Sequence, residues 1–318
     1  MAGNLPDEDR LVLGGKPFVS PAPRVLAIVL NWRQAEVTLE CVAALRAMPV
    51  PALDILVIDN GSGDDSVTLL KESQLDLRLL ALPKNVGFAA GNNRGLRLAL
   101  DEGYDYALLM NNDAFAAPDM LLELLAETAA DIALLSPKIT FETEPERIWF
   151  ANSRQQKYTL DLRDSGGGEL DRGQWDDSRD VDYLLGTCLL VNLPVVKQVG
   201  LLDERFFFYF EDLDWSIRLR QAGFRLRLVP NAHLRHRVAT STGGEDDSPL
   251  RRYHLAYSSV IFWRRHAHLG SPLIIVVFRL ASAIKMVFRL GVTGRRPAAA
   301  AYLRGLRDGW RDSSAERD

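Results

Sequence analysis

A mixed α/β fold, with a mostly parallel central sheet and helices on both faces, is what this sequence predicts. Three observations carry that expectation. Short apolar runs alternate with helix-length amphipathic segments from residue 25 to residue 135. Polar clusters follow three of those runs directly: Asn31-Trp32, Asp59-Asn60-Gly61-Ser62 and Asn111-Asn112-Asp113. The chain has 318 residues, 47% hydrophobic and 25% charged, an ordinary soluble composition with enough apolar matter for one large core or two smaller ones.

Each element has its own signal. Residues 25–30 form a continuous apolar run and read as a buried strand. Residues 35–48 place Val37, Cys41, Ala44, Leu45 and Met48 on one helical face. Strands follow at 55–58 and 77–82, separated by a short helix over 64–72. A helix over 89–100 leads into a strand over 106–110. Pro118 suits the first turn of a helix running to residue 128, and 132–135 is the next strand. Residues 161–180, rich in Asp, Gly and Arg, read as a flexible insertion. Residues 181–191 return to strand, 211–222 to a helix ended by Gly223, and 224–229 to strand; from about 250 the pattern is helical only. The expected division is a loose leader over 1–22, a catalytic-size α/β domain over 23–245 and a helical extension over 246–318.

The net charge of −4 conceals an asymmetry. Residues 251–311 hold twelve Arg or Lys and one acid, Asp308, leaving 26 basic and 41 acidic residues elsewhere. A basic end on an acidic body points to an anionic partner: a membrane surface, a nucleic acid or an acidic subunit would each fit. The two cysteines, Cys41 and Cys188, form no C-x-x-C pair, which argues against a disulfide framework or a zinc site. No apolar signal-peptide core stands near the N-terminus, and no apolar run is long enough to span a bilayer. The expected location is cytoplasmic, on the inner face of the cell membrane.

Ligands on open α/β sheets bind beyond the carboxyl ends of the strands, so the three polar clusters converge on one sheet edge. Asp59 at a strand end, followed by Asn60 and Gly61, can accept hydrogen bonds from a base or ribose; a tight turn with a helix N-cap would use the same residues. The 85–95 segment, with Asn85, Gly87, Gly91, Asn92 and Asn93, is a loop-to-helix junction able to cradle phosphates, although it lacks the P-loop ending. Asp113 offers an oxygen ligand for Mg2+ or Mn2+, cations that share their sites with substrate phosphates; an empty turn would look the same. His233 and His236, three apart, are not metal-specific by spacing. Asp212, beside Glu211 and behind an aromatic run (206–210), is a candidate general base, because burial and a neighbouring like charge both raise a carboxyl pKa. The alternative is an acidic helix start that complements the macrodipole.

Taken jointly, these segments resemble the inverting glycosyltransferases of family 2, which have the GT-A nucleotide-diphospho-sugar transferase fold, and in particular the rhamnosyltransferase-like branch of surface-polysaccharide assembly. The resembling pieces are Leu30-Asn31-Trp32, residues 57–62, 85–93, Asn111-Asn112-Asp113, Gly186-Thr187-Cys188, residues 207–215 and 229–236. The resemblance implies a dTDP- or UDP-sugar donor and a glycan or polyprenyl-linked acceptor, with no nucleic acid as partner. It implies donor contacts from Asn31, Asp59, Asn60, Gly61, Asn85, Gly87, Gly91, Asn92, Asn93, Asn111 and Asn112. Acceptor contacts would come from Gly186, Thr187, Glu211, Asp214 and Trp215. Asp113 matches the last acid of the family's Asp-x-Asp motif, His236 the histidine completing the metal site, and Asp212 the catalytic base. Asn111 replaces the first motif acid, which removes one negative charge from the metal site. Ser258 and Ser259 stand where relatives often show Arg-Asn and receive no role. A sugar-nucleotide pyrophosphorylase would need a basic glycine-rich loop after the first strand, where this chain has Asn31-Trp32-Arg33-Gln34; a non-catalytic nucleotide-sugar binder is the remaining alternative.

One further segment stands apart. Over 271–292, at 100° per residue, Arg279, Ser282, Lys285 and Arg289 share about a third of the wheel, while Ile274, Val277, Phe278, Leu280, Ile284, Val287 and Phe288 mostly face elsewhere. With Arg295 and Arg296 beyond it, the segment 271–296 reads as a helix lying in a membrane interface, or as a helix packed on protein.

Overall fold

The computed structural model describes residues 12–13, 16–17, 22–50, 52–237 and 247–312. Within the expected leader it describes a two-stranded ladder, β1 (Val12–Leu13) with β2 (Lys16–Pro17). The boundary expected at 245/246 lies outside the described residues.

The centre is a ten-stranded sheet. Its all-parallel half consists of β5 (Arg78–Ala81), β4 (Leu53–Asp59), β3 (Val25–Asn31) and β6 (Tyr106–Asn111), in that order. β13 (Cys188–Asn192) follows antiparallel to β6, and then come β8 (Ile132–Phe141) and β14 (Arg225–His236), parallel to each other. β12 (Arg179–Asp180) closes that edge, while β7 (Ala114–Ala116) and β9 (Ile148–Phe150) pair with β14 and β8. A strand such as β3 is apolar throughout because helices cover both faces, so neither set of alternate side chains meets water. α1 (Ala35–Arg46) buries Ala35, Thr38, Cys41, Val42 and Leu45 on one stripe and stops three residues before Pro49, which cannot continue a helix. α2 (Ser66–Glu72), α3 (Phe88–Asp101), α4 (Met120–Ala126), α5 (Leu193–Val199) and α6 (Glu211–Gln221) complete the α/β body.

Three expectations need correction. Residues 161–180 are not a flexible insertion: β11 (Leu162–Ser165) pairs antiparallel with β10 (Asn152–Gln155), and the buried Lys138 holds Asp171 and Asp176, each at 2.6 Å. A buried ammonium needs such partners, and here they tie the segment to β8. The strand expected over 181–191 begins only at Cys188; residues before it bury apolar side chains without joining the ladder. β14 runs to His236, seven residues beyond its expected end, because β7 and β8 supply partners on both sides.

Helix α7 (Pro249–His266) starts at the N-cap Ser248, whose hydroxyl accepts from Arg251 N at 3.3 Å. α9 (Arg296–Arg311) lies close along it: a Cβ on Gly305 would stand 2.3 Å from Tyr253 O, so only glycine permits this approach. Between them in sequence, α8 (Pro272–Val292) reverses the expected orientation of its charge. Arg279 packs its guanidinium over the Trp263 ring at 5.3 Å and Arg289 pairs with Asp247 at 2.6 Å, so both are turned toward protein. The apolar side faces outward, with Ile284 70% and Phe288 71% exposed, alongside Leu273, Val277, Leu280 and Val292. Among the described residues no helix is long and apolar enough to cross a membrane.

Candidate functional site

The carboxyl ends of β3, β4 and β6 deliver Asn31, Asp59 and Asn111 to one edge, because adjacent parallel strands end in register: Asn31 pairs with Asp59, and Leu30 with Asn111. Asn31 Nδ2 donates to Asp59 Oδ1 at 2.8 Å, and Asn31 Oδ1 accepts from the Thr38 hydroxyl at 2.7 Å. Asn112 Nδ2 donates to that same hydroxyl oxygen at 3.1 Å and to Gln34 Oε1 at 3.3 Å. Ser62 donates to Asp59 through its amide, at 3.1 Å, and through its hydroxyl. Asn31, Thr38, Asp59, Ser62 and Asn112 are all buried, so this polar network fixes the strand ends before any ligand arrives.

A second layer lies beside it. Asn60 Nδ2 donates to Asn85 Oδ1 at 3.1 Å and to Gly87 O at 3.2 Å, and Asn60 Oδ1 accepts from Val86 N at 3.0 Å. Gly61, at φ +65°, and Gly87, at φ +89°, adopt left-handed backbone and stand where a Cβ would lie 2.2 Å from Lys84 C and 2.5 Å from Phe207 O. The loop over 84–87 is thereby clasped between the 60–61 turn and the aromatic segment, and Phe88 N donates to Phe207 O at 2.8 Å.

Asp113 and His236 meet directly, with Asp113 Oδ1 and His236 Nε2 at 3.1 Å and both residues buried. Their meeting follows from the register: β7 begins right after Asp113 and pairs antiparallel with β14, placing Ala114 opposite His236, and Arg237 N donates to Asp113 O at 2.8 Å. The edge of Trp149 covers the imidazole at 4.4 Å between ring centroids. His236 Nδ1 is buried and has no hydrogen-bond partner among the described residues. One carboxylate oxygen and one imidazole nitrogen about 3 Å apart suit two adjacent ligands of a six-coordinate cation whose remaining positions go to phosphate oxygens and water. Among the described residues no group of three or more His, Cys, Asp or Glu side chains gathers here, so the pair fits a divalent cation only as two of its ligands.

Asp212 occupies the first turn of α6. Its Oδ2 accepts from the Tyr183 hydroxyl at 2.8 Å and from Gly186 N at 2.9 Å, and its Oδ1 accepts from Leu213 N at 2.8 Å. Thr187 O, next to Gly186, accepts from Asn111 N at 2.9 Å. Two backbone steps thus join Asp212 to the turn that carries Asp113. Burial raises the Asp212 carboxyl pKa against the lowering effect of these hydrogen bonds. Glu211 is raised well above the usual range, first by burial and then by the Asp212 charge; its Oε2 has no partner among the described residues. Tyr209 and Phe210, immediately before, hold φ of 70° and 71°, a conformation unfavourable for non-glycine residues that persists only under surrounding restraint. α7 supplies that restraint: Ser258 donates to Phe208 O at 2.9 Å and His254 stacks on Phe207 at 4.6 Å.

Five expected site residues are used differently. Asp214 and Trp215 are wholly buried and cannot face an acceptor: Asp214 binds Arg218, Arg265 and His266, and the Trp215 indole donates to Gly200 O. Gly91 packs α3 onto β3, since a Cβ there would stand 2.7 Å from Leu30 Cδ1. Asn92 donates back to Phe88 O, and Asn93 to Leu202 O and Glu204. Conversely, Thr38, Tyr183 and Ser258 had no assignment. Tyr183 alone carried a local signal, a phenol inside a buried apolar run, which needs a hydrogen-bond partner.

These features make one polar edge of an α/β sheet, and solved structures share the fold. The mannosyltransferase of Pyrobaculum calidifontis, in complex with GDP-Man and Mn2+, matches with a TM-score of 0.55 over 92% of this chain and 88% of that one, at 14% identity. Residues 27–173 match the model of Glycosyl transferase family 2. The N-acetylglucosaminyl-diphospho-decaprenol L-rhamnosyltransferase of Mycobacterium tuberculosis is 30% identical over 224 residues, 64% of this chain and 72% of that protein. A dTDP-rhamnosyl transferase of Shigella flexneri is 22% identical over 237 residues, 71% of this chain and 76% of that protein. The chain belongs to glycosyltransferase family 2 and has the GT-A fold. It is a nucleotide-sugar glycosyltransferase of glycan biosynthesis.

Proposed function

We propose that this protein transfers a hexose, rhamnose foremost, from a dTDP- or UDP-linked donor to a hydroxyl of a polyprenyl-linked glycan, with inversion at the anomeric carbon. The observation that carries this reading is the chain of contacts from Asp212 through Gly186 and Thr187 to Asn111, two residues before the Asp113–His236 pair. A half-buried carboxylate with a raised pKa stands beside a candidate cation site at the edge where the nucleotide network ends.

In this reading Asn31, Asp59, Asn60, Gly61, Asn85, Gly87, Asn111 and Asn112 shape the donor pocket, with residues 23–245 as the catalytic domain and 246–318 as the extension that braces it. Mg2+ or Mn2+ held by Asp113 and His236 would neutralise charge developing on the departing diphosphate. Asp212 takes the acceptor proton as the acceptor oxygen forms its bond to the anomeric carbon, and the bond to the diphosphate breaks with its electron pair leaving on phosphate. General-base assistance of this kind is worth about 10²–10⁴-fold. Gly186, Thr187 and Glu211 line the acceptor side.

Thermal melting with dTDP-rhamnose, UDP-sugars and GDP-mannose, each with and without Mn2+, tests the reading. One donor should raise the melting temperature only with metal, and His236→Ala should lose that dependence. At a hundred times Kd the stabilisation is about 2.7 kcal/mol. No shift with any donor in either condition would refute it.

The exposed apolar side of α8 supports a peripheral position on the inner face of the cell membrane, where a lipid-linked acceptor resides. Its contact would be apolar insertion, with Lys285 and Arg296 at the rim meeting anionic headgroups through the 271–296 segment. Wild type should float with anionic liposomes, and Ile284→Glu/Phe288→Glu should remain in the soluble fraction; equal flotation would remove α8 from the membrane contact.

A further inference from the structure

Tyr183 has a task in the reaction that neither the family match nor the relatives assign. We propose that it is a positioning residue: its hydroxyl locks the Asp212 carboxylate in one orientation and leaves Oδ1 as the atom that receives the acceptor proton. This inference rests on the reading of Asp212 as general base.

A carboxylate oxygen offers about two lone-pair sites. Oδ2 has both filled, by the Tyr183 hydroxyl at 2.8 Å and by Gly186 N at 2.9 Å. From other residues Oδ1 accepts one hydrogen bond, Leu213 N at 2.8 Å, against two on Oδ2, and is the less occupied oxygen. Both Oδ2 donors come from one loop, residues 183–186, which enters the sheet at Cys188 and is anchored to the 111 turn through Thr187 O. That loop is itself well braced. Tyr183 is buried and sets its ring edge-on to Phe150, at 6.3 Å and 85°. Gly186 leaves room for Phe88, since a Cβ there would lie 3.2 Å from that ring. The donors therefore hold the carboxylate against rotation.

The same hydroxyl sets the proton affinity of the base. Burial raises the Asp212 carboxyl, and Tyr183 and the amides of Gly186, Leu213 and Asp212 itself oppose that rise by stabilising the charged form. The titratable groups facing Asp212 are Glu211 on its own helix and Tyr183 on the loop; Tyr209, with Arg251 and Arg252 near it, faces Glu211. Removing the hydroxyl takes away a donor to the anion, so the carboxyl holds its proton to higher pH. A stronger donor acts in the opposite sense.

The decisive comparison is wild type, Tyr183→Phe, site-specific 3-fluorotyrosine at 183, and Asp212→Asn. Asp212 is followed by 13C-carboxyl NMR on the free protein, which needs no substrate. Its titration should move up in pH with Phe and down with fluorotyrosine, while melting temperatures change little because the ring packing is kept. With dTDP-rhamnose and N-acetylglucosaminyl-diphospho-decaprenol as probes, Tyr183→Phe should lower kcat about 10- to 100-fold, leave donor KM unchanged and shift the acid limb of the rate profile upward. An unmoved Asp212 titration in both Tyr183 variants overturns the inference. Rate loss in Tyr183→Phe with an unmoved acid limb also overturns it, because a merely structural role would do that. Near wild-type turnover in Asp212→Asn would instead sink the general-base reading, and the inference with it.

Discussion

Asp212 and Asp214 stand two residues apart in the first turn of α6, yet the two sides of that helix treat them oppositely. Asp214 points inward to three partners: the guanidinium groups of Arg218 at 2.8 Å and Arg265 at 3.2 Å, and the His266 imidazole at 2.8 Å. Burial alone would raise its pKa, but the His266 hydrogen bond and the Arg218 and Arg265 charges outweigh burial and hold it below the ordinary carboxylate value. Asp212 meets only neutral donors, and burial raises its pKa against them. Similar carboxylates thus become a fixed structural anion and a group ready to take a proton. The difference lies in which elements pack against each face: α7 brings Arg265 and His266 to one, and the 183–187 loop brings a phenol and an amide to the other.

The largest expected effect comes from breaking the inward face. Asp214→Asn leaves the partly buried Arg218 and Arg265 without their buried anion and should cost about 3–5 kcal/mol of stability by denaturant unfolding. Asp212→Asn should leave unfolding nearly unchanged and abolish most turnover. Equal stability losses in the two variants would erase the distinction between the faces. The deficit of Asp214→Asn should also depend on pH in a definite sense. A depressed folded pKa means that stability is present above the unfolded value and lost as pH falls through the folded one, so variant and wild type should converge in acid.

A smaller effect sharpens the outward face. The raised Glu211 carboxyl contributes stability fully present below its unfolded pKa, near 4.3, and lost as pH rises toward its folded pKa. Glu211→Gln removes that loss. Its melting temperature should match wild type near pH 4 and exceed it progressively at higher pH. A variant less stable than wild type at neutral pH would show that Glu211 is a satisfied ion rather than a buried neutral acid.

Much of this was legible in the chain. Continuous apolar runs at 25–30, 55–58 and 106–110 can only be strands covered on both faces, and the polar residues that end them must then share one edge. Asn31, Asp59 and Asn111 were placed by that logic alone, and strand register confirms it. Asp113, His236 and Asp212 needed the family resemblance to be singled out together, because no local pattern links positions a hundred residues apart. Asp214 and Trp215 show the limit of motif reasoning. They lie within the same acidic-aromatic stretch as Asp212, but a helix turns each successive residue by 100°, so neighbours in sequence face different surroundings.

The sequence by itself determined the order of strands and helices, the polar strand ends and the basic, apolar character of the last sixty residues, since each depends on local periodicity and composition. Only the tertiary structure decided which carboxylate is paired, which is half-buried beside a phenol, and that α8 turns Arg279 and Arg289 inward while Ile284 and Phe288 meet solvent. Burial and partnership are properties of what packs against a residue, and those neighbours come from distant parts of the chain.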